Sequence, residues 1–220
     1  MIPLGDVDRK LQIFPLVTML IIGANAAMFF CELTYGQQFI GNWILVPARI
    51  SAGRNWITIL TAMFMHGGWL HFLGNMVYFW AFGPEVEELM GRLRFLVFYL
   101  SGGLVATLAQ IAIAPDSQNP ELGASGAIAA VMGAFLVTFP KDRIRTVLIL
   151  GFFIMMPLIP AIILVGFWFL IQFFNEVGSI VVRQDSGVAY MAHIGGCLFG
   201  VLAAGFFESR EERKRMGLDG

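Results

Sequence analysis

The chain has 220 residues, 58% hydrophobic and 13% charged, where a soluble domain has roughly 45–50% and about 25%. An excess of that size in so short a chain indicates membrane spans rather than a large soluble core. A formal net charge of −1 gives no electrostatic basis for nucleic-acid binding. The two cysteines, Cys31 and Cys197, both fall inside apolar runs and read as small buried hydrophobes, not as a disulfide framework or a metal site.

In chain order, the first apolar run (12–33) follows Arg9 and Lys10 and is read as a retained helix, although Ala24-Asn25-Ala26 loosely imitates a signal-peptide cleavage site. A long connection, 34–68, carries Trp43, Trp56, Trp69 at its far edge and Pro47, a composition suited to a structured loop at the membrane interface. The second span is expected at 69–90, the third at 93–114 and the fourth at 121–139, bracketed by Pro120 and Pro140. Residues 146–174 are too long for one straight span and contain Pro157 and Pro160. Residues 146–156 are therefore read as a re-entrant or interfacial segment, and 157–176 as the fifth span. The sixth lies at 187–207. Around Glu85, Glu87, Glu88, Arg92 and Arg94 we expect a solvated turn whose charges pair with one another.

Charge sets the orientation. With the N-terminus inside, the inner segments hold Arg9, Lys10, Arg92, Arg94, Lys141, Arg143, Arg145, Arg210, Arg213, Lys214 and Arg215, whereas the outer ones hold Arg49, Arg54 and Arg183. The expected fold is thus an all-α membrane protein of six transmembrane helices with both termini cytoplasmic. It comprises a short N-terminus (1–11), a core (12–207) and a charged tail (208–220).

This topology aligns the polar residues. Spans two, four and six run in the same direction, and each carries its polar side chains near its start: His71 and Asn75, Ser125, and His193. Polar groups at membrane depth are costly and default to functional candidates. Span six presents Ala192, Gly196, Gly200 and Ala204 at four-residue spacing, and span four presents Gly126, Ala130 and Ala134, two flat faces that allow close helix approach. Small-residue stripes also serve plain packing, so their message depends on what they bring together.

A serine hydroxyl becomes a nucleophile when a base takes its proton, and neutral imidazole does so near pH 7. No Asp or Glu adjoins His193 in its span, so the simplest scheme is a Ser125–His193 dyad. His71 and Asn75, at i and i+4, share a helix face and can both donate to an oxyanion. The Ser125 backbone N–H, in the first turn of its helix, is a third donor. Gly123 and Gly126 flank the serine and permit close backbone approach.

His66-Gly-Gly-Trp-Leu-His71-Phe-Leu-Gly-Asn75, Gly123-Ala-Ser125-Gly126 and Ala192-His193-Ile-Gly-Gly196 together resemble the rhomboid family of intramembrane serine proteases. The match in order, spacing and host helix runs from the first span through the sixth. The resemblance implies a six-helix core that cleaves transmembrane segments of other membrane proteins, with no cofactor and no metal. Ser125 would be the nucleophile and His193 the base, with His71, Asn75 and the Ser125 backbone as oxyanion hole. His66, Gly123, Gly126, Gly196 and Gly200 would have structural roles, and residues 178–186 could cap the site. The fifth span, with Phe167, Trp168, Phe169, Phe173 and Phe174, resembles the lateral substrate gate, so shrinking Trp168 or Phe169 should speed cleavage.

Two positions depart from the family pattern. Ile57 and Thr58 stand where many relatives carry a Trp-Arg pair, and Ala129 stands where several place an aromatic residue against the base. Tyr190, one turn before His193, is the candidate to orient the imidazole instead. The expected location is a bacterial inner membrane, with the site toward the outer face. Two other functions remain: a catalytically silent rhomboid-like protein that binds membrane clients, and a transporter using His71 and His193 as proton relays. The second of these lacks an evident intramembrane carboxylate or an inverted repeat of broken helices.

Overall fold

The computed structural model describes residues 1–182 and 189–218. A strand β1 (Ile2–Asp6) precedes α1 (Leu16–Trp43), which is interrupted at Gly36. The long connection then forms α2 (Pro47–Ser51), α3 (Thr58–Thr61) and a 3₁₀ turn over Ala62–Phe64. Next come α4 (Trp69–Met90), α5 (Arg92–Ile113) and α6 (Ser125–Thr138). Strands β2 (Arg143–Leu150), β3 (Phe153–Met155) and β4 (Leu158–Pro160) lead into α7 (Ala161–Val182), α8 (Tyr190–Phe207) and α9 (Arg210–Arg215).

Among the described residues, four helical stretches are long and apolar enough to cross a membrane: Leu16–Trp43, Arg92–Ile113, Ala161–Gly178 and Tyr190–Phe207. The helix α4 is as long but carries three glutamates near its end. The helix α6 has 14 residues, which at ~1.5 Å each is shorter than a ~30 Å hydrocarbon core. Of the predicted cap, 178–186, residues 183–186 lie outside the described residues, and 178–182 are the end of α7.

The shortest of the six long helices is deeply enclosed. Every residue of α6 from Gly126 to Phe135 is buried, with α4, α5 and α8 packed around it. The core continues through Phe79 and Phe82 of α4, Phe95, Phe98 and Tyr99 of α5, and Phe135. Among the described residues the contact between α6 and α8 is the densest, while α7 touches both more sparsely. A Cβ on Gly196 would lie 2.1 Å from the Gly126 carbonyl oxygen, and one on Gly200 2.0 Å from that of Ala130. Gly133 is the reciprocal case, 2.2 Å from the Cys197 carbonyl oxygen. Both predicted small-residue faces therefore meet backbone to backbone.

Outside the bundle the all-α expectation is corrected. Residues 143–160 form a sheet in which β2 pairs antiparallel with β1, β3 and β4. The segment 146–156, expected to be re-entrant or interfacial, is largely the β2–β3 hairpin. Its Ile149, Phe152, Phe153 and Ile154 are exposed. The β-branched run Ile144-Arg-Thr-Val147 finds its partner in the first residues of the chain, a pairing that local periodicity does not reveal.

The acidic turn is corrected as well. Glu85, Glu87 and Glu88 are buried, and among the described hydrogen bonds none joins them to Arg92 or Arg94. Glu87 accepts from the backbone N–H groups of Val17 (2.9 Å) and Thr18 (2.7 Å) and from the Thr18 hydroxyl (2.8 Å). It thus satisfies the first turn of α1, whose amides have no intrahelical acceptor. Glu88 accepts from the N–H of Gln12 (3.2 Å) and from Arg215 (2.8 Å). The tail is docked too: the Ser209 N–H donates to Leu89 O at 3.0 Å, and Glu208 accepts from Thr138 (2.9 Å) and from Arg213. Arg9 pairs with Asp142 and lies 4.3 Å from the Phe139 ring centre. The start of the chain, the end of α4, the α6–α7 connection and the tail thus converge at one end of the molecule.

Candidate active site

Ser125 opens α6, immediately after a turn held by the long first connection. Leu45 and Glu121 exchange backbone hydrogen bonds (3.1 and 2.8 Å), and the Gly123 N–H donates to Ala62 O at 2.9 Å. Gly123 has φ +131°, and a Cβ there would lie 2.8 Å from His71 Nε2. Conformation and space both require glycine at this point. As the first residue of its helix, Ser125 has a backbone N–H with no intrahelical acceptor.

His193 comes from the first turn of α8, whose start is held by Gln110 of α5, an acceptor for the Ala192 N–H at 3.2 Å. The close α6–α8 approach brings His193 Nε2 to 2.7 Å from Ser125 Oγ. Nδ1 of the same ring lies 2.9 Å from Oε1 of Gln172, a buried residue of α7. An amide oxygen only accepts, so Nδ1 carries the proton and Nε2 presents its lone pair to the serine hydroxyl. The Trp168 ring, also from α7, is 5.7 Å from the imidazole, tilted by 40°. Tyr190 makes no hydrogen bond or ring contact to His193 among the described residues; Gln172 and Trp168 occupy that role.

His71 and Asn75 line the same cleft as Ser125, His193 and Trp168, a cavity of about 370 Å³. His71 Nδ1 receives a long contact from the Gly67 N–H, 3.4 Å, which leaves Nε2 to donate beside Gly123. Asn75 Nδ2 is buried, with no protein hydrogen-bond partner among the described residues. Two potential donors therefore belong to the residues that line the cleft with Ser125, with no side-chain acceptor for either among the described residues.

His66 is buried outside this cleft. Its backbone N–H donates to the Glu32 carboxylate (2.9 and 3.2 Å), and its ring meets those of His71 and Phe72 edge-on at 5.2 and 5.3 Å. Glu32, itself buried in α1, thus ties the long connection to the first helix. Glu176, one turn beyond Gln172, is also buried. These two residues correct the view that the spans contain no carboxylate. Glu32, Gln172 and Glu176 went unread, although a polar residue within an apolar span is itself the signal.

The fifth-span aromatics divide. Trp168 faces the cleft, Phe167, Phe173 and Phe174 are exposed on the outer surface, and Phe169 is half-buried. Cys31 and Cys197 are unpaired. Among the described residues no group of three His, Cys, Asp or Glu side chains is placed to hold a metal.

A family model described as the Rhomboid domain matches residues 53–210, well over half of the chain. The chain is 29% identical over 205 residues to Presenilin-associated rhomboid-like protein A, mitochondrial, of Danio rerio, covering 89% of this chain and 49% of that protein. It is 29% identical over 194 residues to Rhomboid protease GluP of Bacillus subtilis, covering 86% and 34%. Rhomboid protein 1, mitochondrial, of Saccharomyces cerevisiae is 27% identical over 206 residues, covering 89% and 54%. This chain thus spans between a third and just over half the length of these relatives. They come from mitochondria as well as a bacterium, so the expected bacterial inner membrane draws no support from them. With the three motifs gathered on α4, α6 and α8 and the family model matched through all of them, this multi-pass membrane protein belongs to the rhomboid family.

Proposed function

We propose that this chain is an intramembrane serine endopeptidase that hydrolyses peptide bonds in or near transmembrane segments of other membrane proteins. The observation that carries this assignment is the 2.7 Å contact between Ser125 Oγ and His193 Nε2 on the wall of an open cleft. As Oγ attacks the scissile carbonyl, its proton passes to Nε2. The oxyanion is received by His71 Nε2–H, Asn75 Nδ2–H and the Ser125 N–H, donors fixed before charge develops. The imidazolium then protonates the leaving amine, and water, activated by the same nitrogen, releases the acyl group. No cofactor or metal enters this scheme.

The core (12–207) is proposed to cross the membrane six times, with the 1–11 and 208–220 segments on the same, cytoplasmic side. Support comes from the shared sheet, which joins β1 to β2 and requires an even number of crossings between them. Further support comes from the contacts of Arg215 and Ser209 with the end of α4. Ser125 and His193 lie at the opposite ends of their helices, toward the outer face. Substrates are expected to carry Gly, Pro or small residues near that face, because a scissile segment must unwind to present its carbonyl.

The purified protein and Ser125→Ala should be compared on a tagged model transmembrane substrate in liposomes, together with labelling by a fluorophosphonate. Cleavage and labelling by the parent alone are expected. If the parent shows neither, the chain is to be assigned as a rhomboid-like protein that binds membrane clients. Proton-coupled uptake into vesicles would point to the transporter.

A further inference from the structure

We propose that Gln172 is a positioning residue for the catalytic base, and that the helix bearing it makes the competence of His193 depend on the position of α7. This rests on the serine protease function proposed above. The imidazole has two nitrogens and each has one partner: Ser125 Oγ on Nε2 at 2.7 Å and Gln172 Oε1 on Nδ1 at 2.9 Å. A base is useful here in one tautomer only, with the lone pair on Nε2. A free imidazole interconverts its tautomers and rotates about two side-chain bonds. The amide oxygen holds the proton on Nδ1 and the ring plane in line with the serine.

The three groups come from three helices. Ser125 and His193 are fixed relative to each other, because α6 and α8 meet through backbone atoms at Gly126–Gly196 and Ala130–Gly200. Gln172 stands on the sparsely packed α7, with its outer face of Phe167, Ile171, Phe173 and Phe174 exposed. One turn earlier on the same inner face, Trp168 rests against the same imidazole. A displacement of α7 outward, as entry of a substrate helix beside it requires, withdraws both the acceptor and the supporting ring from His193. The nucleophile–base pair then remains assembled but loses the contact that selects its tautomer. A substrate segment is cleaved efficiently only once α7 has returned to its seat, which protects lipids and passing helices from an always-armed serine. An amide suits this place, since it accepts a hydrogen bond without carrying a charge into a membrane-embedded site.

His71 from α4 lines the cleft with His193, Gln110 from α5 is engaged by the Ala192 N–H, and Glu176 stands one turn beyond Gln172 on α7. The ring nitrogens of His193 themselves meet Gln172 and Ser125.

The test is the rate of fluorophosphonate labelling of Ser125 as a function of pH and probe concentration for the parent, Gln172→Met and Gln172→Glu. The probe is small enough to need no gate opening. Gln172→Met keeps length and volume but removes the acceptor, and its maximal labelling rate should fall about tenfold with half-saturating probe concentration unchanged. Gln172→Glu keeps an oxygen at the same reach. It should recover most of the rate, and its acid limb should move to higher pH because a carboxylate favours the imidazolium. A Gln172→Met variant with the parent's rate and pH profile would overturn the proposal. So would equal losses in both variants with an unmoved acid limb, which indicate packing alone. Failure of the parent itself to label would instead remove the hydrolase function on which the proposal stands.

Discussion

Replacing Gly196 by alanine should separate the two helices that carry Ser125 and His193. The added Cβ would sit 2.1 Å from the Gly126 carbonyl oxygen, about 1.3 Å inside ordinary contact, and the obstacle is backbone rather than a movable side chain. The strain is relieved only if α8 retreats or tilts by a similar distance. His193 lies three residues before Gly196 on the same helix, so the retreat passes almost undiminished to the serine contact. A bond of 2.7 Å then lengthens to about 4 Å, beyond hydrogen-bonding range. Loss of a general base costs about a hundredfold or more in rate, and overpacking costs ~1–3 kcal/mol of stability. Gly205→Ala, on the same helix with nothing within 4 Å of its Cβ, is the control and should hold stability or raise it by up to ~1 kcal/mol. Both variants should be followed by thermal unfolding in detergent and by fluorophosphonate labelling of Ser125. Gly196→Ala with the parent's labelling rate and melting temperature would refute the inference that backbone contact sets the geometry of the site.

Three further outcomes are expected. Glu87→Ala strips three donors in the first turn of α1 of their acceptor and should lower stability by about 2–4 kcal/mol, read as earlier unfolding; an unchanged melting temperature would mean that water serves as well. Trp168→Ala removes the ring that rests on His193 and should slow both labelling and cleavage of a transmembrane substrate severalfold, whereas a passive gate predicts unchanged labelling and faster cleavage, so that second pattern would assign Trp168 to the gate alone. Burial, aided by the charges of Asp142 and Asp8, pushes the Asp6 carboxyl up from its ordinary 3.8 to about 6. The unfolded chain then gives up this proton first, so stability falls as pH rises from about 4 to about 6 and stays lower above. With the group half exposed the effect is at most ~1 kcal/mol. Asp6→Asn should melt above the parent at pH 8 and together with it near pH 4, and a constant gap across that range would contradict the assignment.

The site was legible where its chemistry is local. His71 and Asn75 one turn apart, Ser125 at the head of an apolar run, and His193 beside a run of small residues are short patterns, and the helices that carry them keep those patterns in register. What escaped depends on rotational phase or on distant partners. Gln172 sits in a helix whose apolar and aromatic residues run round most of its surface, so its inward direction emerges only from packing. Glu87 and its neighbours are followed closely by arginines and look like a solvated charge cluster, yet their partners lie on α1 and in the tail. The sheet was hidden for the same reason: β1 is a lone strand, and its complement begins some 140 positions later.

The polar end of α1 also bears on how the molecule is made. The carboxylate that receives the first amide protons of this helix belongs to a residue synthesised seventy positions afterward. While α1 emerges, those amides have only water to bond, and hydrocarbon would leave each of them unsatisfied at several kcal/mol. The beginning of α1 must therefore stay at the water boundary until α4 has entered beside it. Only then does Glu87 meet Val17 and Thr18, and the first helix reaches its final depth as a consequence of the arrival of the second long one. A chain arrested before Glu87 should hold α1 in a shallower, more exposed position than the finished protein does.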